Sequence, residues 1–206
     1  MDRKNIKVIF ILIAILLLFT GCQQGLTEKP ENKPPKPFSI KELSLDWIDP
    51  QASIEDLERE QKYREKEISD DETYLTYRME HCQYVFAADE EYWEKNIAHT
   101  LLYVEIFSDD GGNLPGPRKI QIGDDFDSVL KKFPQERNWQ EDAGGIFYGA
   151  YTSENLSEME LGSVSLSSDG TIGFITLVPK GHPPFIKIHF NENAVSTIII
   201  YYQIVF

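Results

Sequence analysis

The residues that could carry covalent chemistry are few, and the most suggestive pair is His81 followed by Cys82. A histidine next to a cysteine can form a nucleophilic dyad if the imidazole takes the thiol proton. Both residues lie at the start of a run rich in aromatic and apolar residues, which predicts a strand. Neighbouring side chains of a strand point to opposite faces of the sheet, so adjacency alone cannot bring these two together. We therefore predict a buried, unreactive Cys82 and no catalytic residue in the chain.

Carboxylates are abundant, with 34 Asp and Glu side chains against 20 Lys and Arg, but none matches the spacing of an EF-hand loop. Acidic clusters could hold calcium, and two carboxylates across a cleft could hydrolyse a glycosidic bond. The four histidines are scattered, without the spacing of a zinc site. We expect the acids to form a solvated surface, with no metal and no cofactor. The clusters are Asp70 to Glu72, Asp89 to Glu91, Asp109 with Asp110, and Asp124 with Asp125 and Asp127.

Net charge limits the classes of partner. The formal charge of the 206 residues is −14, whereas binding to nucleic acid requires a basic face, so we expect no nucleic-acid partner. The hydrophobic fraction of 41% and the charged fraction of 26% are ordinary for a folded protein, which excludes wholesale disorder.

The N-terminal residues have the pattern of an export signal. Arg3, Lys4 and Lys7 form a basic head, and an unbroken apolar run follows at 8–19. A run of this length is too short to span a bilayer comfortably and matches the hydrophobic region of a secretory signal. The sequence therefore predicts export of the chain.

The apolar run ends in Leu18-Phe19-Thr20-Gly21-Cys22, which resembles the lipobox of bacterial lipoproteins. The resemblance implies cleavage between Gly21 and Cys22 and attachment of a diacylglyceryl group to the Cys22 sulfur. The protein would then be lipid-anchored at the extracytoplasmic face of the cell membrane, because two acyl chains anchor a protein stably where one is marginal. A plain secretory signal cleaved elsewhere is the alternative.

Composition also divides the chain beyond the signal. Four prolines and a single large apolar residue follow Cys22, which predicts a semi-extended tether. Glycine is absent between Leu26 and Asp110 and frequent afterwards, so the stretch DDGGNLPGPR is the best linker candidate. The predicted parts are the signal peptide at 1–21, the lipidated cysteine and tether at 22–37, and two folded units at 38–112 and 113–206.

Both folded units have the same predicted order of elements, a short strand, an N-capped helix and then several strands. Asp49 caps the first predicted helix, and Asp124 caps the second, at 125–133. A helix followed by consecutive hairpins predicts an α+β fold made of tandem helix-plus-antiparallel-sheet units. Asp169-Gly170 and 191–193 are turn signals. The later strands are predicted at 73–80, 82–88, 101–107, 146–151, 161–167, 171–178, 185–190 and 195–205.

A family resemblance lies at the start of the second unit. The stretch GPRKIQIGD at 116–124, followed by VLKKFP at 129–134, resembles a motif of uncharacterised Gram-positive lipoproteins. It is similar to the strand-Gly-Asp-helix opening of the β-lactamase-inhibitor-protein-like fold, which also occurs in outer-membrane lipoproteins of the SmpA/OmlA type. The resemblance implies that fold and a binding role, and it carries over no catalytic residue.

The last strand has a period-2 pattern that assigns its two faces. One face should pack on the helix at 125–133 and consists of Ile198, Ile200, Tyr202 and Ile204. The residues between them, Thr197, Ile199, Tyr201 and Gln203, should therefore point to the opposite face. That opposite face lacks a second predicted helix, and its mixed aromatic and polar side chains suit contacts with protein or glycan. Half-buried sheet aromatics are the plain alternative. The candidate binding face comprises Tyr74, Arg78, Tyr201 and Gln203.

Three functions remain open from the sequence. The leading hypothesis is a membrane-anchored extracytoplasmic lipoprotein that binds a protein or another component of the cell envelope without catalysis. The alternative is a cell-envelope hydrolase with paired carboxylates in a cleft between the two units. The third class, a carrier of a small ligand, would need an apolar pocket.

Overall fold

The computed structural model describes residues 34–88, 98–108, 114–152, 158–181 and 183–203. The chain divides into two units, 1–34 and 35–206, and all elements given below belong to the second. The predicted signal peptide, Cys22 and most of the tether lie outside the described residues, as do two of the acidic clusters. Within the described ranges, no helix is both long enough and apolar enough to cross a membrane.

Nine strands and two short α-helices make up the described part of the folded unit. The strands are β1 (Glu65–Ile68), β2 (Tyr74–Arg78), β3 (Cys82–Ala87), β4 (Leu101–Ile106), β5 (Ile146–Ala150), β6 (Glu160–Leu166), β7 (Ile172–Val178), β8 (Phe185–Asn191) and β9 (Ala194–Tyr201). The helices are α1 (Ile54–Glu60) and α2 (Phe126–Leu130), and 3-10 turns lie at Ile40–Leu43 and Pro117–Lys119. All strands join one antiparallel sheet in the order β1-β2-β3-β4-β9-β8-β7-β6-β5.

The expected α+β fold of tandem helix-plus-sheet units, like that of β-lactamase-inhibitor protein, is wrong. Strand β4, from the first predicted unit, pairs directly with β9, from the second, through Val104–Ile200 and Ile106–Ile198. The two helices have only seven and five residues, so the sheet dominates the fold. Pairing is favoured because β4 and β9 would otherwise each expose an apolar edge with unpaired backbone groups. The domain boundary after residue 112 stays a prediction, since 109–113 lie outside the described residues.

The start of α2 lies one residue later than predicted. Asp125, not Asp124, caps this helix, and its Oδ1 accepts the Ser128 N–H at 2.9 Å. Asp124 instead closes the preceding turn, where its Oδ2 accepts the Gln121 N–H at 3.1 Å. Gly123 has a φ of 91°, a backbone conformation that favours glycine. Because Asp124 belongs to this turn, the helix begins one residue later than predicted.

The start of α1 is also shifted from its predicted position. Ser53 caps α1, and its hydroxyl accepts the Asp56 N–H at 3.1 Å. Asp49 lies four residues earlier and accepts the Gln51 N–H at 2.9 Å within its own turn. Asp and Ser side chains form local hydrogen bonds both in turns and at helix caps. The presence of one of these residues therefore does not locate the first residue of a helix.

The two hairpin turns in the C-terminal half are confirmed. Gly170, between β6 and β7, has a φ of 82°. Glu192 and Asn193, between β8 and β9, have φ values of 50° and 65°, as in the primed turns that match strand twist. Strand β1 was not predicted, because its sequence EKEI is charged and all four residues are exposed. Such charges on an edge strand discourage pairing with another chain.

The main core lies between the helices and the sheet face that they cover, which we call the first face. The predicted register of β9 is confirmed, because Ile198 and Ile200 are fully buried on this face. Tyr202 packs at the margin of the core, and Ile204 lies outside the described residues. The side chains of the α2 region in the same core are Phe126, Val129 and Phe133, with Leu130 partly buried against them.

Arg118 connects the beginning of the folded unit to the α2 region. Its Nε donates to Glu42 Oε1 at 2.6 Å, and its guanidinium carbon lies 4.5 Å from the centroid of the Phe133 ring. The same guanidinium donates to three backbone carbonyls, those of Lys36, Pro37 and Lys132. With only 15% of its side chain exposed, Arg118 holds Lys36 and Pro37 against the body of the protein.

Candidate functional site

The second face of the sheet, opposite the helices, carries a row of aromatic rings across three neighbouring strands. The β-sheet register places Tyr201 of β9 between Tyr103 of β4 and Phe185 of β8. The Phe185 and Tyr201 rings are stacked, with centroids 4.5 Å apart and an interplanar angle of 3°. The Tyr103 and Tyr201 centroids are 5.5 Å apart. We call Tyr103, Tyr201 and Phe185 the aromatic row.

Neighbouring packing fixes one end of the aromatic row. Phe185 packs against a small cluster that is separate from the main core and consists of Met159, Leu161 and Val178. All three rings of the row are half-buried. A row that is held by strand register and packing has little side-chain entropy left to lose when it contacts another molecule.

Charged and polar groups surround the row. Lys187 Nζ lies 5.6 Å from the centroid of the Tyr201 ring and 5.0 Å from that of Phe174. Glu105 Oε2 accepts a hydrogen bond from the Gln83 amide at 2.6 Å. Lysine over an aromatic ring is a favourable cation–π arrangement. The second face therefore combines aromatic surface with charges of both signs.

Burial determines the protonation states on this face. Burial, with a smaller contribution from Glu105, raises the pKa of Tyr103 to about 12, so its hydroxyl stays protonated and can donate a hydrogen bond. Burial and then Glu105 also raise the pKa of Tyr201. His189 is partly buried near Lys187, and both effects lower its pKa, which favours the neutral imidazole. Its Nε2 is buried without a hydrogen-bond partner among the described residues.

The residues of the predicted binding face occupy two parts of this surface. Tyr74 and Arg78 are on the second face of β2, where the Arg78 guanidinium carbon lies 4.6 Å from the Phe107 ring centroid. Tyr74, 37% exposed, is close enough to Tyr103 to influence its pKa. Tyr201 lies at the centre of the aromatic row, and Gln203 is exposed just beyond the end of β9. Their role in binding stays a prediction.

Sequence reasoning missed Tyr103, Phe185 and Lys187 as parts of this surface. Their signal was a period of two, since Tyr103 alternates with Glu105 and Phe185 alternates with Lys187. That pattern predicts the sheet face on which each side chain lies, but it does not predict which strands are neighbours. Only the pairing of β4 with β9 brings Tyr103 next to Tyr201.

The prediction that Cys82 is buried is confirmed. Cys82 lies on the first face of β3 and is 5% exposed. Burial raises the pKa of its thiol to about 11. At neutral pH the thiol is therefore protonated, and the protonated form is a poor nucleophile. His81 is half-buried, and its Nε2 lies 3.9 Å from Glu80 Oε1.

The acidic clusters that the structure describes are engaged in local hydrogen bonds. Asp71 Oδ1 accepts from the Ser69 hydroxyl at 2.6 Å and from the Thr73 hydroxyl at 2.7 Å. These hydrogen bonds, with that from the Thr73 amide, lower the pKa of Asp71. Among the described residues, no three His, Cys, Asp or Glu side chains are grouped so that they could hold a metal ion.

Comparisons of the chain with protein-family models, with curated proteins and with solved structures find no match.

Proposed function

We propose that the protein is a lipid-anchored, extracytoplasmic interaction module that binds a protein partner through the second face of its sheet, without catalysis. The observation that carries this proposal is the aromatic row, flanked by Lys187, with Arg78 farther along the same face. Aromatic residues and arginine are enriched at protein–protein interfaces, and the residues that dominate binding energy are mostly of these types.

Charge supports lipid anchoring rather than electrostatic attachment to the membrane. The first 37 residues carry +3 of the total of −14, so residues 38–206 carry −17. A body with this charge is repelled by anionic lipid. The proposed attachment of acyl chains to Cys22, followed by the tether, would keep the body near the membrane despite this repulsion.

The anchor is tested by replacing its proposed attachment site. Cys22→Ala should abolish incorporation of an alkyne-labelled fatty acid and remove the protein from membranes that have been washed with salt and alkali. The change lies outside the described fold, so far-UV circular dichroism should be unchanged. Cys82→Ala is the matched control. Because Cys82 is buried in the core, its replacement should leave labelling intact. Labelling of the Cys22→Ala variant would refute the anchor.

The interaction surface is tested by in-cell crosslinking with Tyr201→Ala. We expect about tenfold weaker capture of the partner, as for loss of an interface residue that dominates binding. Loss of stacking on Phe185 should also cost about 0.5–1.5 kcal/mol of folding free energy, so thermal unfolding must show that the variant is folded at the assay temperature.

The control for Tyr201 is another tyrosine outside the proposed surface. Tyr151, just after β5, is 66% exposed, and Tyr151→Ala should leave both capture and stability nearly unchanged. Equal capture by wild type and a folded Tyr201→Ala variant would remove the aromatic row from the proposed interface. Equal losses for both tyrosines would show that capture reports general surface change.

A further inference from the structure

A groove of about 970 Å³ lies where the β6–β7 and β8–β9 hairpins turn, beside the start of α2. Trp139, Leu166 and Ile172 provide its apolar lining, and Leu166 is 55% exposed although it is a large hydrophobic residue. The carboxylates that line the groove belong to Asp127, Asp169 and Glu192. We call this region the acidic groove.

Hydrogen bonds and packing fix the walls of the acidic groove. In the β6–β7 turn, Asp169 Oδ1 accepts from the Thr171 hydroxyl at 2.6 Å and from its amide at 3.0 Å. In the β8–β9 turn, the Asn193 carbonyl accepts the Phe126 N–H at 3.0 Å, which ties this turn to α2. The Trp139 ring packs edge-to-face on Phe126, with centroids 5.7 Å apart. A site that is formed in advance loses little entropy when it binds.

Charge in the groove has one sign. Among the residues that the structure describes, its lining includes three carboxylates and no lysine or arginine. The hydroxyl and then the amide of Thr171 lower the pKa of Asp169, which keeps that carboxylate ionised at neutral pH. A neutral ligand would desolvate these charges without supplying a counter-charge, whereas a cationic ligand compensates for the lost hydration. The Trp139 ring adds an aromatic surface suited to a cation.

We propose that the acidic groove binds a segment of a partner protein in which lysine or arginine alternates with aliphatic residues. The cationic groups would lie against Asp127, Asp169 and Glu192, while the aliphatic groups would cover Leu166 and Ile172. The complementarity is therefore both electrostatic and apolar, and this combination selects a basic amphipathic peptide over a simple cation. The groove is a different surface from the aromatic row, so the two proposals can fail independently.

The test measures fluorescence anisotropy of a fluorescein-labelled heptapeptide of alternating lysine and leucine, added to the protein purified from cells in non-ionic detergent micelles. Empty micelles give the baseline. The triple variant Asp127→Asn, Asp169→Asn and Glu192→Gln should raise the Kd about tenfold, because it removes the charges that face the peptide. The asparagine at 169 keeps an oxygen that can accept from Thr171, so the turn is preserved.

A matched triple variant separates local from general charge effects. Glu65→Gln, Glu67→Gln and Asp70→Asn remove the same charge from exposed positions on and after the edge strand β1. This control should raise the Kd less than about twofold, since exposed charges farther away than a Debye length are screened by salt. Leu166→Ala should raise the Kd about threefold by removing exposed apolar surface from the groove.

Three results would overturn the proposal. Equal weakening by both triple variants would mean that the peptide responds only to net charge. A peptide with serine in place of leucine that binds equally well would remove the apolar half of the proposal. The groove would be assigned to a glycan if neutral chitotetraose bound the protein, the triple variant of Asp127, Asp169 and Glu192 weakened that binding, and the same variant did not affect the peptide. Tyr201→Ala should not change peptide binding, so failure here leaves the aromatic row untouched.

Discussion

Replacing Ile200 with alanine should lower the free energy of unfolding by about 2–5 kcal/mol, as for other truncations of fully buried aliphatic residues. Ile200 is 0% exposed on the first face, and it pairs with Val104 on β4 and Ile186 on β8, which are also fully buried. A cavity at this position would lie where the two predicted units join. Urea unfolding should therefore show a lower midpoint with an unchanged slope.

Ile199 provides the matched control for Ile200. It is the same residue type on the same strand, but it lies half-buried on the second face, opposite Glu105 and Lys187. Ile199→Ala should cost less than about 1.5 kcal/mol because less apolar surface is lost and no enclosed cavity forms. A larger cost for Ile199 than for Ile200 would contradict the register of β9.

Replacing Arg118 with alanine should lower the free energy of unfolding by about 2–4 kcal/mol. This is less than for a fully buried ion pair, because water reaches part of the pair between Arg118 and Glu42. The change leaves the Glu42 carboxylate, 29% exposed, without its main partner. It also removes the donors to three carbonyls and the contact with the Phe133 ring. Thermal and urea unfolding should both report the loss.

The ion pair with Arg118 also predicts a pH dependence of stability. Burial of Glu42 raises its pKa, but hydrogen bonds from Arg118 and Ser39 outweigh this effect, and the net pKa is lowered from the ordinary value of 4.5. A carboxyl group with a lowered folded-state pKa stabilises the protein above its unfolded-state pKa, and this stability is lost as pH falls through the folded-state value. The wild type should therefore lose stability below about pH 4.5 more steeply than Arg118→Ala.

Arg137→Ala is the control for Arg118. Its side chain is 45% exposed, and its guanidinium nitrogen lies 3.5 Å from an Asp142 oxygen, so water screens this pair more than the Arg118 network and Arg137→Ala should destabilise the protein much less. If Arg118→Ala were no more destabilising than Arg137→Ala, the network around Arg118 would not hold the start of the folded unit. An acid profile of Arg118→Ala parallel to that of the wild type would refute the coupling with Glu42.

Local patterns in the sequence correctly predicted several features of the fold. Alternation along β9 placed Ile200 in the core and Tyr201 on the second face, because side chains of a strand alternate strictly. The same reasoning predicted the burial of Cys82. The turn at Glu192 and Asn193 was also predictable, since polar residues of this kind tolerate the required positive φ.

The candidate site was only partly predictable. Tyr74, Arg78 and Tyr201 lie on the second face, as the period of two indicated. Tyr103 and Phe185 complete the aromatic row, but their place in it depends on which strands are neighbours. Local propensity gives the orientation of a side chain and carries no information about a partner that is nearly a hundred residues away.

The sequence by itself therefore determined most of the strands, the two faces of β9 and the hairpin turns between β6 and β7 and between β8 and β9, but it did not predict β1. Through Cys22 it also predicts where the protein is anchored. The tertiary structure decided that β4 joins β9, that Arg118 closes on Glu42 and that two hairpin turns form the acidic groove. The physical reason is that pairing between distant strands depends on burying the apolar faces of the whole sheet and covering its edges. Such a cooperative gain belongs to the complete fold, and no short segment specifies it.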